Sequence, residues 1–429
     1  MKRLTIFFAF LVARPSAAIT LDQALETATE HSHELKTLSL QSEMTSWAKK
    51  EAFAGFLPRL ELTGRHLFDE QFHEIETNFG GETFVMPAIQ PYSALGLTAR
   101  WNLFDGLKTT SSLRAASFAQ KAAEANLTRA QELKRTEIRT LFYQALGAQA
   151  LVTVTDQNVR SLESHLNDIK VRQRTGIATR YDSLRVEVQL EDARTEKLAA
   201  ENATTSQRAT LFAAIGVRDD GKRLEGQLPT DFAKIDLARI KFQPQMRQDR
   251  FVLVANRDRL ESLAHVKRAT WYPAVSLFGD YEWYNNINDS VSGDDARFKS
   301  AYAVGVQLNW TIFAGGADYA SQQQSILAQE VAQEALGNFD ENAPVVLEEA
   351  KRRFAYDLRS YKAKIGSVRK AEEAVRLAKG GLRAGTLTNT EVLDAVVDLN
   401  RANASAIRSQ LDAIQHLGEL ELAAGHALL

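Results

Sequence analysis

The chain has 429 residues, 45% of them apolar, and 52 basic against 54 acidic side chains leave a formal charge of −2. Length and apolar content allow two or three domains with real cores, while the near-neutral balance gives no general pull toward nucleic acid. With no cysteine, the chain can hold neither a disulfide nor a lipid on an N-terminal thiol.

Residues 1 to 18, MKRLTIFFAFLVARPSAA, begin with Lys2 and Arg3, run apolar from Leu4 to Ala13, and end on the small residues Ser16 and Ala18. They read as a cleavable secretory signal, too short to span a bilayer as a helix. Its removal would take away Lys2, Arg3 and Arg14 and no acid, moving the formal charge from −2 to −5. No later segment is apolar for long enough to make a transmembrane helix. Entry into a membrane is therefore expected only as a closed barrel.

A helix is expected over about 21 to 56, followed by a strand over about 59 to 68 behind Pro58. A long polar loop, 69 to 92, leads to a second strand over about 93 to 104. There the odd positions Leu95, Leu97, Ala99, Trp101 and Leu103 are apolar, and Gly96, Thr98, Arg100 and Asn102 alternate with them. Past the glycine of WNLFDG (101 to 106) the period changes to helical. Leu141, Ala145, Ala148, Val152, Thr155, Val159, Leu162, Leu166 and Ile169 step by four and three, which is a heptad seam rich in small residues. This helix, about 107 to 173, would reach about 100 Å before Gly176 permits a turn. A return helix is expected over about 180 to 216, then a Gly- and Pro-containing connector, 221 to 244, and a helix over about 245 to 270.

The pattern then repeats. WYPAVSLFGDYEW (271 to 283) resembles FLPRLELTGRHLF (56 to 68), and WTIFAG (310 to 315) lies 209 residues after WNLFDG. The tip stretch RTGIATRYDSLRVEVQLEDAR (174 to 194) returns at the same offset as RAGTLTNTEVLDAVVDLNRAN (383 to 403). Strands are expected over about 274 to 284 and 302 to 313, joined by a polar loop at 285 to 301. A heptad helix with a kink or break at Pro344 should follow, then a turn at Gly385 and a final helix from about 388. The chain thus reads as two copies of one unit, 19 to 220 and 245 to 429.

The expected fold is mainly α, with long antiparallel helical hairpins and a small membrane β part. Strands of about ten residues with one apolar face suit a tilted bilayer-spanning strand. A soluble sheet with one wet face would show the same alternation. The aromatic residues favour a membrane: Trp101 and Trp310 close their strands where Phe56, Trp271 and Tyr272 open theirs, gathering rings at one rim. Four strands cannot close a barrel, so two or three copies must supply eight or twelve strands.

These features together resemble the TolC family of outer-membrane efflux and secretion channels, also termed outer membrane factors. The likeness rests on the LDQAL start at Leu21, the F-L-P and W-Y-P strand entries, both W-x-x-F-x-G exits and both R-x-G-x-x-T tip turns. It implies a homotrimer in outer-membrane lipid, with a shared twelve-stranded barrel over an α-barrel through the periplasm. It also implies docking to a periplasmic adaptor (membrane fusion) protein served by an inner-membrane pump or ABC transporter, without nucleic acid or cofactor. Drugs, toxic compounds or secreted protein would be the cargo.

The tip turns, with Gly176 and Thr179 in one copy and Gly385 and Thr388 in the other, would meet the adaptor. The family often rings its entrance with acids, and the matching positions are Glu391 and Asp394. Together with Asp398 these share one helical face, and in a ring they would focus a negative field. The first copy has Asp182, Arg185 and Gln189 there instead, so it adds no second acidic stripe, and the gate at the pore entrance is expected where Asp182 with Arg185 faces Glu391 with Asp394. A solvated face with local pairs such as Asp182 with Arg185 is the competing reading, and the preferred one for Asp398. Some members latch the closed tip with a tyrosine and an arginine. Leu382 and Leu387 stand at those positions, so apolar packing is expected to resist opening here.

Enzyme signals are missing. Among the histidines, those at 31, 33, 165, 265, 416 and 426 are scattered, with no two of them at the helical spacing of a metal-ligand pair, and no G-x-S-x-G, Walker A or G-x-G-x-x-G motif occurs. The competing function is a soluble periplasmic coiled-coil adaptor or scaffold, which would share the signal and the heptads but need no lipid-facing strands.

Overall fold

The computed structural model describes residues 18–68, 74–87, 93–285 and 298–428. The expected signal, apart from Ala18, lies outside the described residues. In chain order the elements are β1 (Ala18–Ile19), α1 (Leu21–His31), α2 (His33–Ala54), β2 (Arg59–His66), β3 (Glu74–Phe79), β4 (Glu82–Pro87), β5 (Ser93–Phe104) and α3 (Lys108–Arg174). There follow α4 (Arg180–Ile215), β6 (Arg223–Leu224), α5 (Gln248–Arg268), β7 (Ala274–Asn285), β8 (Lys299–Asn309), α6 (Ala317–Ala384) and α7 (Asn389–Ala424). At 1.5 Å per residue, α3 and α6 are each about 100 Å long.

Two compact units divide the chain, one from residues up to 40, 125–251 and 338–429, the other from 41–124 and 252–337. Each unit draws on both sequence copies, because the contacts that define it run between hairpins as well as along them.

In the first unit, β1 pairs in parallel with β6 through Ala18 with Arg223 and Ile19 with Leu224. Thr20 and Gln23 form a capping box that starts α1. Ala24 and Ala28 of α1 pack into a core with Ile138, Phe142 and Ala145 of α3 and Leu211, Phe212 and Ile215 of α4. The small residues bring these helices close. A second core joins Phe232 of the connector to Leu347, Phe354 and Tyr361 of α6 and Ile414, Leu417 and Leu420 of α7. Phe232 meets Phe354 and Tyr361 edge to face, with centroids 6.2 and 5.9 Å apart. A third core, near the hairpin turns, holds Val159, Leu162, Ile169, Val186, Leu190, Val375, Leu393 and Val396. Val159, Leu162 and Ile169 come from the heptad seam.

In the second unit, four antiparallel strands form a sheet in the order β2, β5, β7, β8. The register sorts the faces. Leu62, Leu97, Tyr281 and Tyr302 lie in one cross-strand row, and Trp101, Leu277 and Val306 in another, so one face is apolar. It is also bare: Leu60 is 69% exposed and Val304 74%. The opposite face carries Arg59, Glu61, Arg100, Asp280 and Glu282. The outer edges of β2 and β8 have no strand partner among the described residues.

The structure departs from the expectation at four places. The helix over 21 to 56 is two helices, parted at Ser32, whose backbone is extended and whose hydroxyl accepts from Leu35 N (3.3 Å). Residues 74–87 of the expected polar loop form a hairpin, with Phe79 opposite Glu82 and both Gly80 and Gly81 at positive φ (69° and 94°). This is the chemistry of a tight two-residue turn. β8 ends at Asn309, opposite Ala274, because the next partner would be Pro273, which has no N–H to give. Trp310 therefore follows the strand. Finally, α6 runs through Pro344 without a break; tertiary packing of Ala343 and Leu347, both buried, overrides the local cost.

Candidate functional site

Both hairpin turns are built alike. After α3, Gly176 adopts φ +80° and donates to Gln173 O, while Ile177 and Ala178 donate to Arg172 O. After α6, Gly385 adopts φ +77° and donates to Leu382 O, while Thr386 and Leu387 donate to Gly381 O. Each bond recurs at the 209-residue offset seen in the sequence. The left-handed glycine satisfies the last carbonyls of the outgoing helix.

The return helices then start on capping boxes. Thr179 Oγ1 accepts from Asp182 N (3.2 Å), while Thr179 N and Oγ1 donate to Asp182 Oδ2 at 2.9 and 2.7 Å. Thr388 and Glu391 repeat this, with Thr388 N and Oγ1 donating to Glu391 Oε2 at 2.6 and 2.8 Å. Asp182 and Glu391, read in the sequence as entrance charges, are thus the third residues of two helix caps. Hydrogen bonds from the Thr179 side chain and then its backbone hold Asp182 below its ordinary pKa. The Thr388 backbone, and then its hydroxyl, does the same for Glu391.

Asp394 is different. It is exposed and makes no hydrogen bond or ion pair among the described residues. Asp398 is also exposed but pairs with Arg401 at 3.3 Å. Arg185 does not pair with Asp182; its Nη1 donates to Thr390 Oγ1 (2.9 Å) on the other hairpin.

More bonds tie the two hairpins at this level. Asn389, buried, donates through Nδ2 to Asp182 O at 3.2 Å and meets His165 Nε2 through Oδ1 at 2.7 Å. Arg172 Nη1 donates to Leu382 O (3.0 Å), and Lys379 Nζ to Ser161 Oγ (3.1 Å). Leu382 packs against the third core. Leu387 lies over Gly381, where an added Cβ would come within 2.7 Å of Leu387 Cδ1. His165, Asn389 and Arg172 carried no site signal in the sequence, since their partners are more than 200 residues away.

At the sheet, Trp101 is 43% exposed, Trp271 46%, Tyr272 48% and Trp310 53%. Each thus offers an apolar ring outward. Trp101 Nε1 donates to Phe56 O (2.8 Å) and Trp271 Nε1 to Gln322 Oε1 (2.7 Å), so both indole N–H groups are satisfied by protein. Gly106 makes the strand-to-helix turn after Trp101 at φ +67°; a Cβ there would lie 2.8 Å from Ala269 O. Gly315, its counterpart after Trp310, has φ +63°. Among the described residues no group of histidines and acids has the geometry of a metal site.

A model of the outer membrane efflux protein family matches residues 24–217 and 244–426, once over each copy. Outer membrane protein TolC of Vibrio cholerae serotype O1 (strain ATCC 39315 / El Tor Inaba N16961) is 22% identical over 448 residues, covering 99% of this chain and 95% of that protein. Outer membrane efflux protein BepC of Brucella suis biovar 1 (strain 1330) is 22% identical over 348 residues, 75% of this chain and 69% of that one. Among solved structures, the outer membrane protein VceC from Vibrio cholerae superposes with a TM-score of 0.76 at 16% identity, over 95% of this chain and 97% of that one. At that identity the likeness shows the fold.

Proposed function

Since the chain belongs to the outer membrane efflux protein family, we propose that it is the outer-membrane channel-tunnel of a tripartite efflux or type I secretion system. Membership places it in the outer membrane, reaching into the periplasm. The conduit is passive. Cargo is driven through it by an inner-membrane pump or ABC transporter, handed on by a periplasmic adaptor that docks at the hairpin turns around Gly176, Thr179, Gly385 and Thr388.

The observation that carries this reading is the sheet: four antiparallel strands with one bare apolar face and two unpaired edges, β2 and β8. Lipid tolerates the face but not the edges. Along the order β2, β5, β7, β8 the strand directions alternate. A β8 edge laid on the β2 edge of a second copy therefore continues the antiparallel pattern, and three copies close a ring of twelve. Trimer rather than dimer follows the family. A soluble periplasmic adaptor would have no use for Leu60 and Val304 standing in water, which is the observation against it.

Asp394 is the entrance acid of this reading, because its carboxylate is exposed and uncommitted. Glu391 and Asp182 serve mainly to start their helices.

Deleting the gene and scoring sensitivity to drugs and metal ions and the loss of secreted proteins tests the function. Increased sensitivity or a missing secreted protein, restored by the wild-type gene, is the expected result. Unchanged export together with release of the protein from membranes by a carbonate wash would favour the adaptor.

A further inference from the structure

The polar face of the sheet holds a feature that the conduit reading leaves unused, and its meaning rests on that reading, in which this face lines the lumen. Cross-strand register puts Arg59 directly opposite Arg100, Arg100 opposite Phe278, and Phe278 opposite Gly305, in one row beside the aromatic rim. Like charges directly opposite each other destabilise a sheet. Here they are hardly compensated. Arg100 makes no hydrogen bond or ion pair among the described residues, and Arg59 reaches Glu61 only at 3.9 Å, with both side chains mostly exposed.

Phe278 is a large apolar side chain on a face otherwise polar or small along this row. Its ring lies across Gly305, where an added Cβ would come 2.9 Å from Phe278 Cζ. The glycine thus leaves the space that the ring occupies. The next row along the strands carries Glu61 and Asp280, about 6.8 Å away at two residues' rise.

We propose that Arg59, Arg100 and Phe278 form a recruiting row for organic anions that bear an apolar ring or chain. Guanidinium groups match carboxylate, sulfonate and phosphate oxygens in a planar fork. Phe278 supplies apolar area beside them. The acidic row holds the anion at the rim end, since a like charge repels it from the next position. In a closed assembly every copy contributes one such row, and the fields of the rows add within the lumen.

The test is conductance of the purified full-length protein in planar lipid bilayers, with naphthalene-2-sulfonate, inorganic sulfate and a naphthylmethyl-trimethylammonium salt as probes. The sulfonate should reduce the wild-type current at a concentration at least fivefold below that needed for either of the other two. The double variant Arg59→Gln/Arg100→Gln should lose at least fivefold of that sensitivity and shift its reversal potential in a KCl gradient toward cation preference. Phe278→Ser should lose the sulfonate sensitivity while keeping the reversal potential. Equal block by all three probes in the wild type overturns the proposal without any variant, and so does sulfonate block unchanged in the double variant. Absence of any wild-type conductance overturns instead the conduit reading beneath it.

Discussion

His165 Nε2 lies 2.7 Å from Asn389 Oδ1, a buried hydrogen bond joining α3 of the first hairpin to the first turn of α7 in the second. Because Asn389 Nδ2 donates to Asp182 O, its Oδ1 faces the imidazole, and His165 donates through Nε2. Burial pushes the pKa of His165 below the ordinary value; Lys379 and Arg172 add to this, while the Asn389 bond and Asp168 oppose it.

As pH falls below about 6.5, the unfolded chain takes up the proton before the folded one, so the stability contributed by neutral His165 is complete above that value. It is lost as pH falls toward the depressed folded value. Protection factors of the amides at residues 165–190 and 382–396, corrected for the slower intrinsic exchange in acid, should be lower at pH 5.5 than at pH 7.5. His165→Gln keeps a donor to Asn389 and should shrink this pH difference.

The caps and the proposed entrance acid are separable. Thr388→Ala and Thr179→Ala each remove a cap hydroxyl and should cost about 1 kcal/mol, read as faster exchange in the first turn of α7 or α4. Asp394→Asn should leave that exchange unchanged and alter ion selectivity in bilayers. If Asp394→Asn leaves conductance and selectivity as they were, the acid has no part in the entrance.

Glycines of similar backbone angle should respond differently to alanine. Gly385 and Gly106 both have positive φ (77° and 67°), but an added Cβ meets nothing within 4 Å at Gly385 and backbone at 2.8 Å at Gly106. Gly385→Ala should therefore cost about 1 kcal/mol, the strain of a left-handed alanine. Gly106→Ala should prevent assembly, seen as loss of the protein from the outer membrane fraction.

Glu421 is buried and paired with Arg139; its other carboxylate oxygen accepts from Leu428 N at 2.9 Å. Arg139→Met would strand the carboxylate and should cost about 3 kcal/mol, near the lower end for a broken buried pair because Arg139 keeps some solvent. Chemical denaturation of the detergent-solubilised protein measures this. The double variant Arg139→Met/Glu421→Gln should recover part of the loss.

Features with a short sequence period were legible without a structure. The alternation from Leu95 to Leu103 placed the apolar face, and the 209-residue offset placed both turns. The Gly80-Gly81 pair is a turn signal inside a stretch that otherwise reads as loop, and the T-x-x-D and T-x-x-E spacings at 179 and 388 are cap signals that compete with the reading of Asp182 and Glu391 as pore charges. What stayed hidden depends on partners distant in the chain. Asn389 and His165 are 224 residues apart, and the end of β8 is set by Pro273, on the neighbouring strand. The opposition of Arg59 and Arg100 also needs the register, since one residue of slip would turn either side chain to the other face.

The proposed function requires a membrane-embedded ring closed by several copies of this chain. Native mass measurement of the complex, extracted in detergent from carbonate-washed outer membranes, tests it most directly. A single assembly with the mass of three copies of the chain is the expected result. A monomer, recovered in the carbonate wash and missing from the membranes, would contradict it.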